Sequence, residues 1–484
     1  MKLFKNENAY RNARLGFVLF VVLYSLLRQN ITAIQPFLIH DAFNMALTLL
    51  AGVLVLWDLA VFKNLFKMKH IWWLIAFFAL TMVSVLTNVR YGLVDSLKTA
   101  VNLFVQFFAL YVVSAQSSRE RLVHEVKVIG NTLCAVWFVA AAVSIYMYFA
   151  DIFYHQTRYL WGDPVEIVQG FVRTHEGATV MRLWGVFVDP NFASGICVAV
   201  ICLSLYMIFA SKTTLNTVLH AVNILFQFLY IVLSNSRMGC LILCLTGAVS
   251  AWYFSWIFIR KRKLHRLIKE VLAVFIAVVA VGTCYAGVLA TKTVLPYIKA
   301  PLTQVSNHSD AKPPFTEKEE NPNANPSKTE GVESLDRQDI VSKEDVSNGR
   351  FDLWMNGVDL FLAHPILGVG PRNHYTAAAE VIPETPIAKG VSVHNSYLEL
   401  LMGNGLTGFL VLLVFFVLCA KDTVLSRYKC TSLRSDGWLM LAVLSLLASG
   451  MFIACLFYTL SGATILMFVV LGYAVKLMAC KNED

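Results

Sequence analysis

Charge is scarce in this chain. Asp, Glu, Lys and Arg supply 15% of its 484 residues against 57% hydrophobic, and the mean hydropathy is +0.62. That is not the composition of a soluble protein of this length. The phosphate-cradling pattern Gly-x4-Gly-Lys-Ser/Thr is missing, so a pump driven by ATP through that element is excluded. There is no His-Glu-x-x-His, and no acidic pair stands at the outer ends of the early spans, only Asp95 alone, so nothing supports a metal-dependent mechanism. Intramembrane carboxylates are few, with Asp58 near an inner end, which argues against a proton-coupled transporter. The ten cysteines follow no ligand spacing. Eight fall in apolar runs (Cys134, Cys197, Cys202, Cys240, Cys244, Cys284, Cys419, Cys455), where a free thiol behaves as a small hydrophobe. Cys430 and Cys480 fall on the expected cytoplasmic side and the large outer loops hold none, so disulfides and structural zinc are not expected.

What the chain has in abundance is apolar length. Runs of about 20 residues recur throughout, long enough to cross some 30 Å of hydrocarbon. They predict an all-α integral membrane protein with twelve spans, near 15–33, 42–61, 71–88, 98–115, 128–149, 191–210, 218–234, 239–259, 268–290, 405–420, 437–457 and 459–478. The first is not a cleavable signal, because no small-residue site follows 15–27. The net charge of +9 could point to nucleic acid, but no nucleic-acid module is present and the basic residues cluster in short loops. They recur at Lys2, Lys5, Arg11 and Arg14; at Lys63, Lys67 and Lys69; at Arg119, Arg121 and Lys127; at Arg260, Lys261, Arg262 and Lys263; and at Lys421, Arg427, Lys429 and Arg434. With the N-terminus inside, alternation places every cluster in the cytoplasm, as the positive-inside rule asks, and both termini with them.

Two outward loops are then long. The organisation reads as spans one to five (1–149), a first outer loop (150–190), spans six to nine (191–290), a large outer loop (291–404), and three last spans with a tail (405–484). Within the large loop, 306–346 is expected to be disordered: 310–345 holds 10 acidic and 5 basic residues with several prolines. The part 347–404 is expected to be helical and to carry the chemistry. An amphipathic helix over 351–363 puts Trp354, Val358 and Phe361 on one side, Pro365 and the run Gly368-Val369-Gly370-Pro371 force a turn, and a short helix follows over 373–381. His394 opens a third helix, which Gly403 and Gly405 break before the tenth span.

The candidate site residues follow from cost. Arg237, at the outer end of the seventh span, is expensive beside hydrocarbon and normally has a partner or a function; a snorkelling helix-end arginine is the plain alternative. Arg350 offers a planar donor fork suited to phosphate oxygens. His394, at a helix start that disfavours imidazolium, is suited to be neutral and to take a proton, while His374 reads as structural or peripheral. Asp189 or Asn191 caps the sixth span, with Pro190 shaping its entry. Arg182 is a further candidate for an anion site, and Arg158 and Arg173 are weaker ones. A guanidinium, a glycine-rich turn and a histidine on one face are equipment for gripping a phosphate-bearing lipid and moving a proton beside it.

In this order and topology the chain resembles the bacterial O-antigen ligase and O-antigen polymerase superfamily, membrane glycosyltransferases that use undecaprenyl-diphosphate-linked glycans. The stretch 182–191 is similar to the family's element ending in Pro-Asn, and Ser236-Arg237 to its Ser-Arg element. Gly349-Arg350 through Leu353-Trp354, then His364-Pro365 and Gly368 to Pro371, is similar to the start of its large outer loop; His394 and Gly405 fit its histidine, ten residues, glycine pattern. The likeness covers about 182–408 in motif detail and the whole chain in topology. It implies a GT-C-like membrane glycosyltransferase fold of about twelve transmembrane helices with a large helical extracytoplasmic loop, and neither metal nor cofactor. It implies His394 as general base, Arg237, Arg350 and Arg182 on the donor diphosphate, and Asn191, Gly368, Gly370 and Gly405 shaping the site. The implied partners are an undecaprenyl-diphosphate-linked oligosaccharide donor, a glycan acceptor, membrane lipid, and a flippase and chain-length regulator. The expected activity is polymerisation of lipid-linked repeat units into capsule or O-antigen on the outer face of the bacterial cytoplasmic membrane. Transfer of the finished glycan to lipid A core or another final acceptor is the alternative, and non-catalytic lipid-linked glycan transport the second. The acidic insertion at 306–346 departs from the family pattern.

Overall fold

The computed structural model describes residues 6–33, 40–113, 117–160, 163–175, 178–211, 213–306, 334–335, 349–429, 436–454 and 456–479. The expected disorder at 306–346 therefore falls almost wholly outside the described residues, as do Lys2, Lys5, Arg434, Cys430, Cys455 and Cys480.

Helices form where the apolar runs stand. In chain order they are α1 (Glu7–Asn30), α2 (His40–Trp57), α3 (Ile71–Thr87), α4 (Val89–Phe104), α5 (Arg119–Phe149), α6 (Pro190–Ala210), α7 (Thr214–Leu233), α8 (Arg237–Ile259), α9 (Arg266–Ser306), α10 (Arg350–Ala363), α11 (His374–Val381), α12 (Ser396–Lys429), α13 (Gly437–Ser449) and α14 (Gly462–Ala479). Single π-helical turns, Asp58–Phe62 and Val105–Leu110, extend α2 and α4. Among the described residues ten helices are long and apolar enough to cross a membrane, and α3 and α13 are shorter apolar ones. These twelve occupy the twelve expected positions, and the chain is a multi-pass membrane protein.

Two helices are central. In the apolar windows of α14 and α6, 83% and 78% of residues are buried within the protein, whereas in α9 the share is 11%, leaving that helix to face lipid. A carboxylate holds the bundle's interior together. Glu125 on α5 is fully buried and accepts from Arg14 on α1 at 2.9 Å, from Arg121 at 3.1 Å and from the Tyr473 hydroxyl on α14 at 2.8 Å. A buried charge in hydrocarbon survives only when its oxygens are answered in this way.

The structure differs from the sequence expectation at four places, each bearing on the site. The first long loop, in a chain expected to be all-α, folds into an antiparallel sheet in the order β1 (Phe153–Leu160), β2 (Asp163–His175), β3 (Ala178–Gly185). Along β3 the pleat sends Met181 and Leu183 into the main apolar core while Val180 packs with Val168 and Val172 in a small cluster of its own. Helix α13 stops at Ser449, not near 457, and 450–461 is irregular. Helix α9 runs well past 290 to Ser306, 41 residues or about 60 Å, too long for the hydrocarbon alone. Finally, α12 is not opened by His394. Asn395 precedes it and caps it, its Oδ1 accepting from the amides of Tyr397 at 3.0 Å and Leu398 at 3.1 Å, because a short amide side chain is the better cap.

Candidate functional site

The glycine-rich turn comes first because it sets the height of everything else. Its backbone is docked on the kink of α12, where Gly405 has φ 61°. The amide of Val369 donates to Met402 O at 2.9 Å and that of Gly370 to Gly403 O at 3.0 Å, while Leu406 N returns a bond to Pro365 O at 2.8 Å. A Cβ at Gly368 would sit 2.5 Å from Met402 O and one at Gly405 2.3 Å from Ile366 O, so only glycine permits this approach. On the other side Ser84 Oγ donates to Leu367 O at 2.7 Å and Asn88 to Gly368 O at 3.1 Å, fixing the turn to α3 and its C-terminal cap. The turn is therefore a joint and not a phosphate cradle: the amides of Gly368, Val369 and Gly370 are spent on carbonyls.

Above that joint α10, α11 and the start of α12 enclose a second apolar core of Leu360, Ala377, Ile387, Val393, Leu398 and Met402 among others. Trp354 donates its indole N–H to Val393 O at 3.0 Å, one residue before His394. His374 lies wholly buried here, its ring centroid 4.1 Å from that of Tyr375 and its Nε2 3.9 Å from Glu399 Oε1. Burial first, then the nearby Arg372 charge, push its imidazole down to about 3 from 6.5. It is neutral, so its approach to Glu399 is a contact and not an ion pair. The sign follows. The folded protein refuses a proton that the unfolded chain takes, so this stability is complete above about pH 6.5 and is lost as pH falls toward about 3. From pH 6 to pH 4.5 the loss is about 2 kcal/mol. Thermal unfolding in detergent across that range should show it, and His374→Leu should flatten the dependence.

His394 itself has φ 48°, a left-handed conformation just outside the helix, and its amide donates to Ser392 Oγ at 3.2 Å. The helix that follows is seated by the end of α13 and the residues just after it: Ser396 N donates to Gly450 O at 2.8 Å, Ser396 Oγ to Ile453 O, and the Tyr397 hydroxyl to Leu447 O at 2.7 Å. The same segment meets Arg350, whose Nη1 lies 3.4 Å from Phe452 O. One seam between α13 and α14 thus seats the start of α12, which follows His394, and meets Arg350 at the start of α10.

The third arm comes from the sheet and the α7–α8 turn. Asp189 caps α6, its Oδ1 accepting from Asn191 N at 2.7 Å and Phe192 N at 3.3 Å, with Pro190 as the first helical residue. Ser236 caps α8 through Gly239 N at 3.1 Å and donates to Asn191 Oδ1 at 2.9 Å. Arg182 on β3 reaches the same Asn191 Oδ1 at 2.5 Å and donates through Nε to Ser234 O at 2.9 Å. Arg182 and Asn191 therefore hold the two helix starts together, and Arg237 is the exposed first residue of α8 beside them.

The charges carried by these arms act on one another. Burial lowers the Arg350 pKa, the Asp189 carboxylate opposes that, and the positive charge of Arg237 lowers it further. At His394 burial again leads, the Arg350 charge lowers the imidazole below its ordinary range, and Asp189 pulls the other way. His394, Arg350, Arg237 and Asp189 so share one neighbourhood. Holding two guanidinium groups together costs energy that an anion would return. The unprotonated imidazole can accept a proton beside that anion. Among the described residues no three His, Cys, Asp or Glu gather as metal ligands. Arg173 is drawn elsewhere, paired with Asp151 at 2.7 Å, and the Arg158 side chain is outside the described residues.

Asp189 caps α6 as the sequence suggests, and its charge also acts on Arg350 and His394, a relation that only the fold creates.

Residues 222–413 match the family model described as O-Antigen ligase, a range holding Arg237, Arg350, His394 and Gly405. No curated protein matches the chain.

Proposed function

We propose that this chain, which carries an O-antigen ligase domain of the O-antigen ligase and polymerase superfamily over residues 222–413, joins lipid-linked glycan repeat units on the outer face of the cytoplasmic membrane. The observation that supports this most is the electrostatic influence that Arg237, Arg350, Asp189 and His394, from four separated stretches of sequence, exert at Arg350 and His394. The substrate it fits is a sugar carried on undecaprenyl diphosphate, with the isoprenoid tail in the bilayer and the diphosphate at the two guanidinium groups.

In the reaction the acceptor hydroxyl gives its proton to the imidazole of His394 as its oxygen bonds to the anomeric carbon of the donor sugar. The bond from that carbon to the phosphate oxygen breaks, and undecaprenyl diphosphate leaves with the electron pair. Arg237 and Arg350 stabilise the charge that collects on it, from positions fixed before the reaction begins. The Asp189 charge raises the basicity of His394, against burial and the Arg350 charge that lower it. Arg182 and Asn191 act through the helix starts, and Gly368, Gly370 and Gly405 through the joint that places the loop.

Ligase activity, transfer to a lipid A core or another final acceptor, uses the same groups and is the alternative. The acceptor decides between the two. Purified protein given a synthetic undecaprenyl-diphosphate oligosaccharide should produce a ladder of lengthened lipid-linked products, in the presence of EDTA as well, since the guanidinium groups supply the charge. No ladder until a core acceptor is added would replace polymerase by ligase, and no transfer to any acceptor would remove both.

A further inference from the structure

The most lipid-exposed helix of the bundle sends a cation inward at the level of the site. Helix α9 packs along α8, and the amine of Lys292 donates to Asn235 Oδ1. Lys292 lies just past the expected end of the ninth span and is half-buried, its amine turned toward the neighbouring α7–α8 turn. Asn235 stands in the left-handed conformation, φ 51°, two residues before Arg237. With the carbonyl end of its side chain on Lys292, the amide end donates to Met181 O at 3.2 Å and to Leu335 O at 2.7 Å. The reversed amide would set its N–H groups against the ammonium, so the lysine charge dictates which way Asn235 faces. The turn is thereby tied to β3 next to Arg182, and Arg237 leaves it in a fixed direction. Seven residues on, Lys299 repeats the attachment: it is 7% exposed, donates to Asp151 Oδ1 at 2.8 Å and lies 4.6 Å from the ring centroids of Tyr148 and Phe171. A half-buried lysine therefore ties α9 to the Arg237 turn, and a buried one ties it to Asp151 just ahead of β1.

We propose that Lys292 is a positioning residue of the donor site, holding the Asn235 turn so that Arg237 meets a lipid diphosphate and adding positive charge on the lipid side of the Arg237–Arg350 pair. The inference rests on the donor reading above for its ligand, but it concerns binding and is tested without turnover. Purified protein in nanodiscs is titrated with undecaprenyl diphosphate, comparing wild type, Lys292→Met, Lys292→Arg and Arg237→Ala, with thermal unfolding of each. Lys292→Met should weaken binding by about tenfold, the order of one charge-assisted hydrogen bond, while Lys292→Arg keeps most of it. Lys292→Met should also raise the donor KM more than it lowers kcat. Wild-type affinity in Lys292→Met overturns the proposal, and so does a lowered unfolding temperature with affinity unchanged, which would mark a structural staple only. Binding that depends on Lys292 in a protein that transfers no glycan would keep this inference and remove the catalytic one. A wild type that binds no undecaprenyl diphosphate removes it outright.

Discussion

Replacing His394 by Ala should lower kcat by about 10²–10⁴-fold while leaving donor affinity within a few-fold of wild type. In the proposed mechanism the imidazole is the proton acceptor, and its loss leaves the proposed diphosphate-binding groups in place. The pH profile carries the same claim with a sign. A base works only when unprotonated, so kcat/KM falls as pH falls through its pKa. Burial and then Arg350 hold that pKa below the ordinary imidazole value, so the acid limb should lie below pH 6.5. Arg350→Ala removes a charge that lowers it and should move the limb up. Asp189→Asn removes one that raises it and should move the limb down, and Asn remains a good cap for α6. Steady-state rates from pH 5 to 8 read all three. A His394→Ala enzyme at the wild-type rate would end the assignment.

The second large effect belongs to the guanidinium groups. Arg237→Ala or Arg350→Ala should each cost about 10²–10³-fold in kcat/KM, the usual loss when a preorganised group facing developing charge is removed. Unlike His394→Ala, each should also weaken binding of undecaprenyl diphosphate. Lysine at either position should restore the charge but not the planar fork, and so recover the rate only in part. Arg182→Ala should act differently. Its donors are engaged by Ser234 O and Asn191 Oδ1, so its loss should loosen the α6 and α8 starts and lower the unfolding temperature. Unfolding curves beside donor titrations separate the two kinds of arginine.

These assignments show which parts of the molecule were legible in sequence. The spans were, because hydrocarbon thickness imposes length and apolarity on each of them independently. Arg237, Arg350 and His394 stand out in the sequence as candidates, because charge beside hydrocarbon and a histidine ahead of an apolar helix are conspicuous. The sheet β1–β3 was not legible. Its alternation is short and broken by register shifts at Gly170/Phe171 and Val172/Thr174, and a loop between spans carries no hydropathy signal of its own. Without the sheet, Arg182 read as another anion ligand; only the fold shows its guanidinium tied to Asn191. The glycine-rich turn misled in the same way. Glycines that could cradle a phosphate can equally allow two backbones to meet, and the partner backbone, Met402 to Gly405, lies more than 30 positions on. The 450–461 segment read as helix because it is apolar, yet it is the seam that meets Ser396 and Arg350.

The most direct test is release of undecaprenyl diphosphate by protein reconstituted in nanodiscs with a synthetic donor oligosaccharide, followed together with glycan transfer. The wild type should release one undecaprenyl diphosphate for each glycosidic bond formed. His394→Ala should bind the donor and release almost none. Release that continues undiminished in His394→Ala, or glycan movement with the diphosphate bond intact, would contradict the site described here.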